Sequence, residues 1–151
     1  MDPIIETWQI HNRINLYLLE GIAEDALAAQ SASKGRTVGQ QFAHLHNVRM
    51  MWLKVAAPQL LEGLPKIEKE GMSKAALSDA LTLSENAVTQ LFELSKTTGK
   101  IKGFKPHATA FLGYLISHES HHRGQIMLSL KQSGHMVDQK TQYGLWEWGV
   151  R

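Results

Sequence analysis

Four long segments of the chain repeat apolar residues every three or four positions, the spacing that gathers one face of an α-helix into an apolar stripe. The first holds Ile4, Ile5, Trp8, Ile14, Leu18, Leu19, Ile22 and Leu27. It begins at Asp2-Pro3, an N-cap followed by a proline at the first helical position, and predicts a helix running into the late twenties. Residues 31–36, rich in Ser, Lys and Gly, close it. Thr37-Val38-Gly39-Gln40 has the form of a capping box. The second helix it opens carries Phe42, Leu45, Val48, Trp52 and Val55 and ends near Ala57, because Pro58 disfavours helix before it. Residues 59–72, with Gly63, Pro65 and Gly71, form the longest connection. Ser73 is the N-cap expected for the third helix, in which Ala76, Leu77, Ala80, Leu81, Val88, Leu91, Phe92 and Leu94 lead to about Lys96. Gly99 and Gly103 interrupt the pattern. The fourth helix opens between Pro106 and Thr109, presents Ala108, Phe111, Leu112, Leu115, Ile126 and Leu130, and stops at Gly134. A short tail ends Tyr143-Gly144-Leu145-Trp146-Glu147-Trp148. No run alternates as a half-buried strand would. Four amphipathic helices with short links predict an all-α, four-helix bundle.

At 151 residues, one domain covering 1–151 is expected. A formal charge of +2 is too mild to argue for nucleic acid. The local basic stretch Lys96, Lys100, Lys102 and Lys105 falls in an expected connection and reads as a solvated loop. The chain has no cysteine, which excludes disulfides, thiolate ligands and cysteine nucleophiles. The opening Met-Asp-Pro lacks the basic and apolar regions of a signal peptide, and no apolar run approaches the ~18 residues of a membrane span. A cytoplasmic location, away from membranes, is the expectation.

Chemistry concentrates in the eight histidines. His118-Glu119-Ser120-His121-His122 sets two imidazoles at i and i+4, on one side of the fourth helix and about one turn apart. His118 and His122 project on or beside its apolar arc, whereas His121 projects to the surface. Two core histidines satisfied by hydrogen bonds is the plain reading of the pair; shared ligation of one divalent metal is the functional one. A metal requires at least a third ligand, and with no cysteine it must come from His, Asp or Glu. His44 and His46 of the second helix sit at opposite edges of its apolar arc, and projection does not choose between them. His11, His107 and His135 lie on a polar face or near helix ends and read as solvated. Glu119 projects toward the apolar arc, where a carboxylate needs a partner. Arg49 and Arg123 are candidates for a salt bridge with it, and a supporting or general-base role is the alternative.

The segment Thr37–Leu45, the run His118-Glu119-Ser120-His121-His122-Arg123-Gly124-Gln125-Ile126 and the closing Tyr143–Trp148 resemble, in order and over essentially the whole chain, the DinB-like (DinB/YfiT-like) superfamily. That resemblance implies an up-down-down-up bundle with one long crossover. It also implies a divalent metal, nickel or zinc foremost, held by three histidines. Carried over position by position, these are His44, His118 and His122. Arg123 and Gln125 match the same signature and are expected in helix packing or in contacts that orient the ligands. Three neutral imidazoles leave open coordination positions, the form of a catalytic site. The expectation is a metal-dependent transferase or hydrolase acting on a small molecule, with S-transfer from a low-molecular-weight thiol the specific reading. A metal-binding bundle or sensor without catalysis is the alternative. A homodimer is expected from the same resemblance, with Trp8, Trp52, Trp146 and Trp148 as interface or core residues. The five residues 118–122 also satisfy the H-E-x-x-H pattern of zinc peptidases, with Glu119 as base. Against that reading stand the lack of a strand to hold an extended substrate and a third ligand that lies upstream.

Overall fold

The helices of this computed structural model start where the sequence supplies caps; the structure describes residues 1–68 and 72–151. In α1 (Pro3–Glu20) the Asp2 carboxylate accepts from the N–H groups of Ile4 and Ile5. Both halves of the capping box open α2 (Val38–Ala56): Gln40 N–H donates to Thr37 Oγ1 and Thr37 N–H donates to Gln40 Oε1. Ser73 caps α3 (Lys74–Ser95). His107 Nδ1 accepts from Ala110 N–H at the start of α4 (Ala108–Gln132). Each such cap satisfies a backbone donor that the helix itself leaves unpaired. Gly71, read as part of the long connection, lies outside the described residues.

One sequence expectation is corrected. The first helix ends at Glu20, short of the late twenties. Its stripe nevertheless stays buried: after Gly21 the chain turns, and a 3-10 segment, Glu24–Ala28, folds Ala26 and Leu27 back into the core. Periodicity reads burial, and two kinds of backbone supply it here. The tail holds a helix of its own. Asp138 caps a short α5 (Gln139–Gly144), whose Gly144 lies so close to the Tyr17 ring that a Cβ would overlap it.

α1 and α2 each pack on both α3 and α4. One apolar cluster joins the end of α1 (Ile14, Leu18, Leu19), the start of α2 (Phe42, Leu45), the start of α3 (Leu77, Leu81) and the end of α4 (Ile126, Leu130). The other joins the start of α1 (Ile5, Trp8), the end of α2 (Leu53), the end of α3 (Val88, Leu91, Phe92) and the start of α4 (Phe111, Leu115). Between these clusters lies a polar layer of His11, Asn12, Asn15, Arg49, Ser84 and Glu119, all buried. Among the described residues there is no strand, only an isolated bridge between Ile101 and Phe104. No described helix is long and apolar enough to cross a membrane.

Candidate metal centre

Packing of α2 on α4 brings three histidine rings together. On α4, His118 and His122 are stacked one turn apart, with ring centroids 4.7 Å from each other. The His44 ring of α2 lies 5.3 Å from His118 and 4.5 Å from His122. One ligand atom from each lies within 4.8 Å of the other two, a group that could hold a metal ion. His46 is elsewhere: it is fully buried and its Nε2–H donates to Pro65 O at 2.6 Å. His121 is exposed, as its projection required.

The donor set fits a divalent transition metal. His122 Nδ1–H donates to Gln41 Oε1 at 2.7 Å, so its Nε2 keeps a lone pair. Gln41 is held in turn by donating through Nε2 to Gln125 Oε1 at 3.1 Å. His118 Nδ1 is buried without a hydrogen-bond partner among the described residues. Burial is the first cause that keeps the three rings neutral. It lowers His44, with Arg36 and His118 adding to the effect. It also lowers His118, against an opposing pull from Glu119. His122 falls to about 4, through burial and then the neighbouring His44 and His118. Neutral imidazole is the form that ligates. No carboxylate joins the group among the described residues.

The cluster is open on one side. A cavity of about 360 Å³ is lined by His44 together with Arg36, Gln40, Ala43 and Asn47. A second, of about 240 Å³, is lined by Arg36, Gln41 and Gln125. Arg36 lines both cavities, a cation with no ion pair among the described residues. On the other side the Tyr114 ring stacks on His118 with centroids 6.3 Å apart, and Trp52 meets Tyr114 edge-on. A cavity of about 1040 Å³ lies away from the histidines, at the ends of α2 and α3.

Glu119 points from α4 into the polar layer. It is 1% exposed, and both its oxygens are occupied. Arg49 Nε–H donates to Oε2 at 2.8 Å and Arg49 Nη2–H to Oε1 at 2.7 Å. Asn15 Nδ2–H and His11 Nε2–H also donate to Oε1. Burial pushes the carboxyl up, but the Arg49 charge and hydrogen bonds, with those of His11, outweigh it and hold Glu119 at about 2. The remaining Arg49 N–H groups reach Leu81 O, Ser84 Oγ and Asn12 Oδ1, and its guanidinium lies over the Trp8 ring. Of the two arginines considered, Arg49 is thus the partner. Arg123 donates to Asn15 Oδ1 and Ser120 Oγ instead.

His11 is a correction. Read as solvated, it is fully buried, and burial lowers it to the neutral form. The face of α1 that holds it looks polar because it meets the polar layer, not water. His11, Asn12, Asn15 and Gln41 were missed as functional neighbours, although the pattern carried a signal. Arg49 falls one turn from both Leu45 and Leu53, and Asn12 and Asn15 bridge Trp8 to Leu18 and Leu19 at helical spacing. A charged or amide residue on a core stripe demands a buried partner.

The DinB family model matches residues 2–148. Among solved structures, a DinB-like protein from Bacillus subtilis, YjoA, is similar with a TM-score of 0.63 at 19% identity, over 91% of this chain and 96% of that one. At that identity the likeness is one of fold. No curated protein matches the chain.

Proposed function

Because the chain belongs to the DinB family, we propose that it is a divalent-metal-binding protein in which His44, His118 and His122 are the ligands, and that it catalyses transfer or hydrolysis of a small molecule. The observation that carries this reading is the convergence of three neutral imidazoles, one ligand atom from each within 4.8 Å of the others, beside an open cavity. Nickel and zinc are the metals assigned, since both accept imidazole nitrogen and tolerate open positions. A closed structural site would use four protein ligands, and three are in reach here among the described residues. The helix ends that share each apolar cluster support an up-down-down-up bundle with residues 1–151 as one domain. A homodimer and a cytoplasmic location belong to the same reading.

The specific reaction proposed is S-transfer from a low-molecular-weight thiol. The thiol gives up its proton, its sulfur bonds to an electrophilic carbon, and the leaving group departs with the electrons of the broken bond. A metal in the centre would supply Lewis acidity, lowering the pKa of a thiol or water that reaches it. The protein's own part is orientation. Gln41, held by Gln125, fixes the His122 tautomer. Arg36, which lines both cavities, favours an anionic molecule. Tyr114 and Trp52 wall the far side. Glu119 serves as the partner of Arg49 and not as a base, because its oxygens are already engaged. That, with no strand among the described residues, weighs against a peptidase.

The test is elemental analysis of protein purified without a histidine tag, followed by turnover with a panel of thiols and an electrophile. The wild type carries close to one metal per chain and the single alanine variants of His44, His118 and His122 carry little. Turnover, where found, disappears with the metal. Metal bound tightly, with thermal stability lost on chelation and no thiol consumed, would favour the non-catalytic reading.

A further inference from the structure

The basic stretch after α3 is a loop with exposed lysines, as its composition suggests, but its backbone is anchored to the bundle. Ile101 is 2% exposed, and Phe104 packs edge-on against Trp52 and Phe111 at 5.7 and 5.1 Å. Backbone bonds close the segment, from Phe104 N–H to Ile101 O and from Ala108 N–H to Gly99 O. Gly103, at φ +84°, sits so close to Val55 that a Cβ would collide with it. The segment is therefore pinned to the bundle by side chains and backbone alike. Its lysines are exposed side chains that rise from this anchored backbone.

They line the rim of a cavity of about 1040 Å³, which shares no lining residue with the three-histidine cluster. Its floor is apolar, formed by Ala57, Leu91, Ile101 and Phe104. Leu94, on the apolar stripe of α3, is 55% exposed beside it. Lys100, Lys102 and Lys105 line the same cavity, and no Asp or Glu does so among the described residues. Lys96 is neutralised by Glu93 at 2.6 Å and Asp2 at 3.7 Å, whereas Lys100, Lys102 and Lys105 have no ion pair among the described residues. The size is that of small-molecule sites, roughly 300–1,000 Å³. Three unmatched ammonium groups around an apolar floor complement a molecule with an anionic head and an apolar body.

We propose that this groove is a second ligand site, separate from the metal centre, which binds a free amphipathic carboxylate of the medium-chain fatty-acid type. The apolar chain lies on Leu91, Leu94, Ile101 and Phe104, and the carboxylate meets Lys100, Lys102 and Lys105. Lysine suits this role, as a mobile point charge that adapts to a head group of variable position.

The probe is decanoate, titrated into the full-length protein and followed by Trp52 fluorescence and by methyl NMR shifts of Leu91 and Ile101. Decanol and decyltrimethylammonium serve as neutral and cationic controls. Decanoate is expected to bind about tenfold more tightly than either. The triple variant Lys100→Gln, Lys102→Gln, Lys105→Gln alters exposed residues only, so it keeps the fold. It should lose that tenfold preference while binding decanol as before. Leu94→Asp should weaken both carboxylate and alcohol. Metal-loaded and metal-free protein should bind decanoate equally. The proposal is overturned if the three probes bind alike, if none binds, or if the triple variant is unchanged. It is overturned also if affinity follows the metal content, which would seat the carboxylate at the histidines, or if only anionic vesicles bind and decanoate does not compete, which would make the face a membrane contact. Whether His44, His118 and His122 hold a metal is decided separately, by elemental analysis of their alanine variants.

Discussion

Arg49 and Glu119 illustrate how much one residue's neighbours decide. A buried guanidinium has five N–H groups to satisfy, and Arg49 satisfies all of them on Glu119, Asn12, Leu81 and Ser84. Removing one partner strands the other charge, which costs far more than the pair itself contributes. Glu119→Gln should therefore lower stability by about 3–5 kcal/mol, read as a Tm lower by roughly 10 °C, while the folded fraction still takes up metal. A general base would show the reverse, with activity lost and Tm kept. The acid limb gives a second readout. Glu119 ordinarily titrates near 4.5 and is held at about 2 in the fold. Its contribution is thus complete above 4.5 and lost as pH falls from there toward 2, and the variant should lack that part of the decline. At this scale the sequence was legible wherever a single pattern carried the meaning. The spacing of His118 and His122 showed that they share a face, and Glu119 on the apolar arc showed that it needed a cation. It was not legible for His11. A polar stripe looks the same whether it meets water or a buried ion pair, and only the packing of α1 on α3 and α4 tells the two apart.

Among the elements, α4 does two tasks because successive residues on a helix point about 100° apart. His118 and His122 face the ligand cluster while Glu119, between them in sequence, faces the core. α2 is its counterpart, with Gln41 and His44 on one turn and Arg49 further along. The first turn of α2 is fixed by the Thr37–Gln40 box, one turn ahead of Gln41. Thr37→Ala should cost about 1 kcal/mol, a Tm shift of roughly 2–4 °C. It should also weaken metal binding, because fraying that turn loosens the Gln41 bond that orients His122. Calorimetry and a metal titration on the same sample measure both, and a stability loss with unchanged affinity would show that the turn is held by packing alone. Caps made the starts of α1, α2 and α3 readable, since each is a local hydrogen bond between side chain and backbone. The end of α1 and the existence of α5 were not readable. Both depend on a distant contact, Gly21 against Thr141 and Gly144 against Tyr17, that no local pattern encodes. Projection likewise left His44 and His46 equal; the second turned out to be bound by Pro65 across the long connection.

Across the whole molecule, two apolar clusters enclose a polar layer, and the histidine cluster fastens α2 to α4 beside that layer. A metal there binds the folded chain alone, because the unfolded chain does not hold the three rings together. Its free energy of binding therefore adds to stability, by about 2.7 kcal/mol when free metal stands at a hundred times Kd. The pH profile of this gain follows from the rings. His44 and His118 are lowered from their ordinary 6.5, and His122 to about 4. For a group depressed in the fold, the unfolded chain takes up the proton first. The metal-free protein should thus be most stable above 6.5 and should weaken as pH falls toward 4, above the window in which Glu119 is protonated. Near neutral pH the metal faces little proton competition in the folded chain, since its ligands are already neutral. Added nickel or zinc should consequently raise Tm near neutral pH, with the gain falling at acid pH as the first of the three rings takes up a proton. His122→Ala should abolish the gain at every pH and reduce the decline of the metal-free protein between 6.5 and 4, the remainder coming from the other depressed histidines. A metal-dependent gain that falls steeply between pH 8 and 7 would mean that the rings are protonated in the folded chain, and the neutral, preformed ligand set would have to be given up.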